Sequence, residues 1–330
     1  MDNITHSLTG ALAAKLISHT STEEQKDGGR TLFWLLVVSA NLPDADIALR
    51  WVSDYFSYVV AHRGITHSVV FAPVLALIPA GVFFFFSRVK NFSLLWLVAL
   101  LGIVVHICFD VITSFGTRIL APLSSQRHSL DWLFIIDPLF TGILAVTMIL
   151  QRQFAQNAHS ITRGGFVFAC VYLLAATVSH TIATTKIERA IAQRSIQASQ
   201  VSAIPQPFSI LHWNGLIQTG EGVQQAFFSV FNDSLHFVEY TNSTDPLVEK
   251  VLATKEVKDY FTFARHPWIS SWSEGEKKIV ELRDFQFGVA PWLLELFGQQ
   301  GTPQPFSLRY EFAPAGNIES VRFNDQPISK

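Results

Sequence analysis

Four long apolar runs constrain this chain more than any other feature. Residues 65–86, 92–109, 133–150 and 165–183 are each long enough to cross the roughly 30 Å of hydrocarbon in a bilayer. Backbone polar groups in lipid must be satisfied within the segment, so such runs read as helices. Composition agrees. The chain is 49% hydrophobic and 15% charged, where ordinary globular domains carry about 25% charge, and its mean hydropathy is +0.30. Pro73 and Pro79 lie inside the first run, where membrane helices tolerate them; Asp137-Pro138 breaks the third. Segments 5–17 and 31–41 are shorter and read as buried or half-inserted helices. Cys108 and Cys170 fall within apolar runs and are expected to be small buried apolar side chains. A net charge of −2 without a basic block excludes a nucleic-acid footprint. The opening "MDNITHSLTGALAAKL" has an acid and a histidine where a secretory leader has basic residues, so a cleavable signal is not expected.

From about residue 184 the pattern changes. "TTKIERAIAQRSIQASQ" reads as a polar helical exit, and the prolines of "IPQPF" end any helix. Beyond it "LHFVEY", "KKIVELRDFQFG", "FSLRYEF" and "NIESVRF" alternate in polarity between turn signals, the mark of antiparallel strands. The expected fold class is an α-helical multi-pass membrane domain, residues 1–200, followed by a smaller β-rich soluble domain, residues 201–330.

Ionisable groups sort to one face. With four spans, His62, Arg63 and His67 at the start of the first, His106 and Asp110 at the end of the second, and Arg127, His128, Asp131 and Asp137 near the start of the third share one side. Groups this costly at a membrane mark function by default. The opposite loops hold Arg88, Lys90, Arg152 and Arg163, which points them to the cytoplasm and the polar cluster and C-terminal domain to the outside of the inner membrane. His106 and Asp110 are four apart, on one helical face; so are Asp2 and His6 if the helix starts at the terminus. "NLPDAD" presents Asp44 and Asp46 on a turn.

Histidine and aspartate without cysteine suit an open, catalytic divalent metal site. Zinc is the first expectation and manganese the alternative, in about one to three ions. His6, His62, His67 and His106 are the nitrogen ligands. Asp44, Asp46, Asp110, Asp131 and Asp137 are ligands, bridges or the general base. Arg63 and Arg127 clamp an anionic substrate, while Gly64 and Gly116 allow tight turns beside them. His180 reads as structural; His19, His159, His212, His236 and His266 lack comparable company. The leading function is a metal-dependent hydrolase of phosphoesters, with a phospholipid as one such substrate. The alternative is a metal-binding transporter or sensor, which should carry polar residues deep in several spans.

The motifs "MDNITHSLTGA", "NLPDAD", "HRGITHS", "HICFDVITSFGTRILAPLSSQRHSLDW" and "IIDPLFT" together resemble the YdjM-like inner-membrane proteins, described as membrane-bound, metal-dependent hydrolases. The resemblance runs over residues 1–145 and weakly beyond. It implies metal-dependent hydrolysis in a multi-pass protein, with His6, Asp44, Asp46, His62, His67, His106, Asp110, Asp131 and Asp137 as candidate ligands. A more distant likeness is to the zinc-dependent phospholipase C and single-strand nuclease group, which tilts the substrate toward phosphoesters. This chain lacks that group's mature N-terminal tryptophan.

Overall fold

A computed structural model describes residues 1–17, 23–231, 234–296, 298 and 305–328, with backbone alone at 23–26; His19 lies outside the described residues. The helices follow the apolar runs, with their ends set by local chemistry. Asp2 caps α1 (Asn3–Ile17), its carboxylate accepting from the Thr5 N–H at 3.0 Å. Helix α2 (Glu23–Ser39) leads into a 3-10 segment at Pro43–Trp51, and α3 (Tyr55–Ala61) is capped by Asp54. The first apolar run forms α4 (Ala72–Leu75) and α5 (Leu77–Phe86). Pro73 and Pro79 fall in the first turns of these helices, where the missing N–H removes no intrahelical bond.

Helix α6 (Phe92–Ile112) has a mean hydropathy of 2.5 and is capped by Asn91. The third run breaks at Asp137-Pro138, as its sequence implies: residues 133–137 are not helical, and α7 (Pro138–Gln153) begins where Asp137 accepts the Phe140 N–H at 2.8 Å. Proline at the first helical position favours that start. Helix α8 (Ala158–Arg194) runs 37 residues and absorbs the polar exit. Among the described residues, two helices are long and apolar enough to cross a membrane, or up to four if two bent pairs, 27–51 and 55–86, each count as one span. Cys108 and Cys170 are exposed rather than buried. An apolar run in a membrane helix also supplies the outward, lipid-facing side, so apolar neighbours did not imply burial.

The chain divides into two compact units, Met1–Ala48 with Arg63–Thr177, and Leu49–His62 with Val178–Lys330. In the first, Leu35, Leu36, Leu95, Ala99 and Ile103 form the core between α2 and α6. Gly102 lets the two backbones approach: a Cβ there would stand 2.8 Å from Ser39 Cβ and 3.0 Å from Leu36 O. The chain order brings the start of α1, the end of α2, the end of α6 and the start of α7 to one end of this unit, and the 87–91 turn to the other.

The second unit holds two antiparallel sheets. One comprises β1 (Gln200–Gln206), β2 (Ser209–Gln218), β3 (Gly222–Ser229) and β4 (Val238–Thr241) in that order. Pro205 lies in the edge strand β1, where its missing donor is tolerated. After α9 (Leu247–Leu252) and α10 (Lys255–Phe261), the other sheet begins with β5 (Pro267–Glu274) and β6 (Lys277–Asp284). It continues past α11 (Pro291–Leu296) with β7 (Leu308–Phe312), β8 (Ile318–Phe323) and β9 (Gln326–Pro327). Ala183 and Ile187 of α8 pack on Trp213, Ile217 and Phe228 of the first sheet. His180 takes a structural place there, its ring 5.4 Å from that of Trp213. His266 is buried, with Nε2 2.8 Å from Ser202 Oγ.

Candidate metal centre

Four side chains from separate stretches converge at one end of the helical unit. His106 and Asp110 project from the last turns of α6, His67 from the 3-10 turn Ile65–His67, and Asp44 from the turn after α2. Each offers one ligand atom, and all four atoms lie within 4.8 Å of one another. His67 Nε2 is 3.2 Å from Asp44 Oδ1 and 3.2 Å from Asp110 Oδ2. His106 Nε2 is 3.4 Å from Asp110 Oδ2 and 3.6 Å from Asp44 Oδ1. Ligands about 2.0 Å from a tetrahedral ion stand about 3.3 Å from each other. His67, His106 and Asp110 are fully buried.

The fit is decided by which atoms lack partners. His106 Nδ1 is 2.7 Å from the Ala40 carbonyl oxygen, which can only accept. The ring proton therefore sits on Nδ1 and the lone pair on Nε2, the tautomer that binds metal. His106 Nε2 and Asp110 Oδ2 are buried without a hydrogen-bond partner among the described residues. Two such atoms facing each other carry a desolvation penalty that a cation removes.

A surround holds this set in place. His6 stacks on His106 with ring centroids 3.7 Å apart, its Nε2 3.3 Å from Asp110 Oδ1, and neither ring nitrogen has a hydrogen-bond partner among the described residues. The Met1 amine also meets Asp110 Oδ1. Arg63 donates from Nη2 to Asp110 Oδ1 at 3.0 Å and from Nη1 to Thr113 Oγ1 at 3.0 Å. Asp46 Oδ2 accepts from Thr66 Oγ1 at 3.3 Å, and Thr66 Oγ1 lies 2.9 Å from His67 Nδ1.

Within "HRGITHS" the left-handed conformation falls on Arg63, at φ 57°, whereas Gly64 has φ −90°. A non-glycine residue in this region costs about 1–2 kcal/mol, a strain found at functional sites. Gly116 does take a positive φ, 84°.

Asp2, Asp131 and Asp137 lie outside these four. Asp2 caps α1 instead of joining His6, because the helix begins one residue after it. Asp137 is set apart from the four converging ligands: it caps α7 and accepts from the Tyr172 hydroxyl at 2.9 Å. Asp131 is buried at φ 54° in the loop after α6 and is also outside that group. His62 belongs to the second unit, where it ends α3 with its ring 5.2 Å from that of Tyr58.

Arg127 donates to Gly116 O at 3.1 Å, and the guanidiniums of Arg63 and Arg127 lie 4.8 and 5.8 Å from the Phe115 ring. Burial, then the neighbouring Arg118 and Arg63 charges, push Arg127 down to about 9. A nearby anion would relieve that crowding of like charge. Phe115, Arg118 and the Ala40 carbonyl were absent from the sequence reading. Only Arg118 carried a signal, its charge beside "SFGT"; a backbone carbonyl carries none.

The model of the YdjM inner membrane protein family matches residues 1–183. The chain belongs to the YdjM inner membrane protein family. It is an inner membrane protein by that membership and by its apolar helices. This YdjM chain is also similar to the uncharacterized protein YfhP of Bacillus subtilis (strain 168), 29% identical over 114 residues, which cover 34% of this chain and 35% of that protein. No solved structure matches. Neither matching description names an activity, so the YdjM assignment carries the membrane setting and the site geometry carries the chemistry.

Proposed function

We propose that this protein is a multi-pass, membrane-bound, metal-dependent hydrolase of phosphoesters. The observation that carries the reading is the pair of buried, unpartnered atoms, His106 Nε2 and Asp110 Oδ2, converging with His67 and Asp44. A divalent ion, zinc by its nitrogen and carboxylate donors, would supply Lewis acidity and lower the pKa of a bound water. Asp44, His67, His106 and Asp110 would hold it, with His6 beside them.

The chain's own groups have separate tasks. Ala40 O fixes the His106 tautomer, and Thr66 positions His67. Arg63, anchored on Thr113 and Asp110, carries a buried Nε without a hydrogen-bond partner among the described residues, and its planar fork suits two phosphoryl oxygens. Arg127 adds a second positive charge over the same Phe115 ring. Asp131 and Asp46 are the carboxylates available as base outside the four ligands; Asp137 and His62 are further ligand candidates.

In the membrane, α4 with α5, α6, α7 and α8 would each cross once. The cluster would face the outside of the inner membrane, and Arg88, Lys90, Arg152 and Arg163 the cytoplasm.

The test is elemental analysis of the purified full chain together with turnover of a generic phosphodiester with added Zn²⁺ or Mn²⁺ and with chelator. Bound metal and chelator-sensitive turnover support the reading. Bound metal without turnover on any phosphoester would favour a transporter or sensor. Thiol labelling of Lys90→Cys and Ser125→Cys should report opposite sides of the membrane, Ser125 outside; the reverse would overturn the orientation.

A further inference from the structure

We propose that an apolar cleft beneath the centre holds one acyl chain of the substrate, making that substrate a lipid with an anionic headgroup; this rests on the hydrolase reading above. The cleft lies between α1, α6, α7 and α8 and has a volume of about 140 Å³. Its walls run from Thr9 to Leu16 on α1 and from Leu173 to Phe166 on α8, with Phe109 and Phe140 at the upper end. The spacing i, i+3, i+4, i+7 on α1 and α8 presents a continuous stripe over seven residues, about 10 Å of helix.

Three observations choose the occupant. The cleft is apolar: the Thr9 hydroxyl is committed to His6 O at 2.9 Å, which leaves little to bind a headgroup. An apolar space of about 150 Å³ takes a benzene-sized guest, so this one admits a single chain segment. Its surroundings are hydrocarbon, because Val167 and Phe168, beside the stripe on α8, are exposed on a helix apolar enough to span.

The upper end lies within about one helical turn of the centre along α1 and α6. Phe109 precedes Asp110, Thr9 follows His6 by one turn of α1, and Arg63 sits against Asp110. A molecule with its chain between these helices would therefore present its anionic end to the guanidinium and the ligand set. A water-soluble phosphoester would use only the upper half of this arrangement.

The experiment uses the full-length protein in nanodiscs containing phosphatidylglycerol with a photoreactive diazirine near the end of one acyl chain. Adducts are mapped by mass spectrometry. They should concentrate on residues 9–16 and 166–173 rather than on lipid-facing 83–86. Cys170→Trp should lower the cleft adducts about tenfold, the effect of a modest steric clash, and leave those at 83–86 unchanged. Cys170 is exposed, so the indole need not displace core residues; Ala13→Phe blocks from the facing helix as a second variant. Retained metal content in both variants shows that the centre is intact. Equal labelling of the cleft and of 83–86, unaffected by either substitution, would overturn the proposal. A wild type that hydrolyses no phosphoester would remove the hydrolase reading instead, while the adduct map still decides whether the cleft takes a chain.

Discussion

Gly102→Ala separates helix propensity from site geometry. In a helix interior the change by itself favours folding by up to about 1 kcal/mol. Here the new Cβ would meet Ser39 Cβ at 2.8 Å, Leu36 O at 3.0 Å and Ala40 N at 3.2 Å. Carbon atoms pack at about 3.5 Å or more, so α2 must withdraw from α6 by about 0.7 Å. The Ala40 carbonyl would then recede from His106 Nδ1, now 2.7 Å away, to about 3.4 Å, near the limit of a hydrogen bond. Asp44 follows α2 in the chain and shifts with it, whereas His106 and Asp110 stay on α6. Loss of a histidine's outer partner lowers metal affinity by about 10–100-fold, or about 1.4–2.8 kcal/mol, and overpacking adds about 1–3 kcal/mol of instability. The assay is competitive titration of metal-free protein against a chromogenic chelator. Gly142→Ala in α7 is the control, since nothing lies within 4 Å of its Cβ position. Equal metal affinity in the two variants would refute the claim that the α2–α6 approach positions the ligands.

His106→Ala and Asp110→Ala should each lose bound metal by elemental analysis while His236→Ala retains it; wild-type content in both would remove them as ligands. Arg63→Lys should keep metal yet lower phosphodiester turnover about a hundredfold or more, equivalent to about 3–4 kcal/mol of transition-state stabilisation, and unchanged turnover would end the clamp role. In the β-rich unit, burial raises the Asp284 carboxyl above its ordinary 3.8. The folded form therefore binds that proton more tightly, and this group's stabilising contribution is full below pH 3.8 and declines as pH rises through the raised pKa. Asp284→Asn should flatten that slope in denaturant unfolding followed by tryptophan fluorescence; parallel slopes in the two proteins would count against it.

Much of the helical region was legible because lipid enforces a simple rule: long apolar runs become helices. The start of α7 was legible from Asp137-Pro138, where the acid caps the helix and the proline fits its first turn. The rule did not distinguish buried cysteines from lipid-facing ones. In the second unit, "KKIVELRD" and "SVRF" read as strands because they alternate. The strand β3, "GVQQAFFS", was missed because a glutamine takes a buried position, Gln225, whose Nε2 donates to Asn214 Oδ1 at 2.9 Å. At the site, the i, i+4 spacing of His106 and Asp110 was readable. That Asp44 and His67 join them was expected from the residue types and the family motifs; the distances were not readable, because they depend on how α2 lies against α6. The same limit applies to Asp137 and Asp131: spacing alone does not show that one caps α7 and the other takes a positive φ.

The positions of Asp44, His67, His106 and Asp110 also set a schedule. All four candidate ligands are present once residue 110 has been made, before α7, α8 and the β-rich unit. At about 5–20 residues per second, synthesis of residues 111–328 takes about 11–44 s. On the proposed metal reading, the nascent protein would capture its ion at the translocon in that interval. A ribosome-arrested chain ending within 138–153 is expected to hold metal already, and an empty arrested chain would show that capture waits for the later elements. If the arrested chain holds metal, supply during translation, rather than after release, would govern how much of the protein is made with its centre filled.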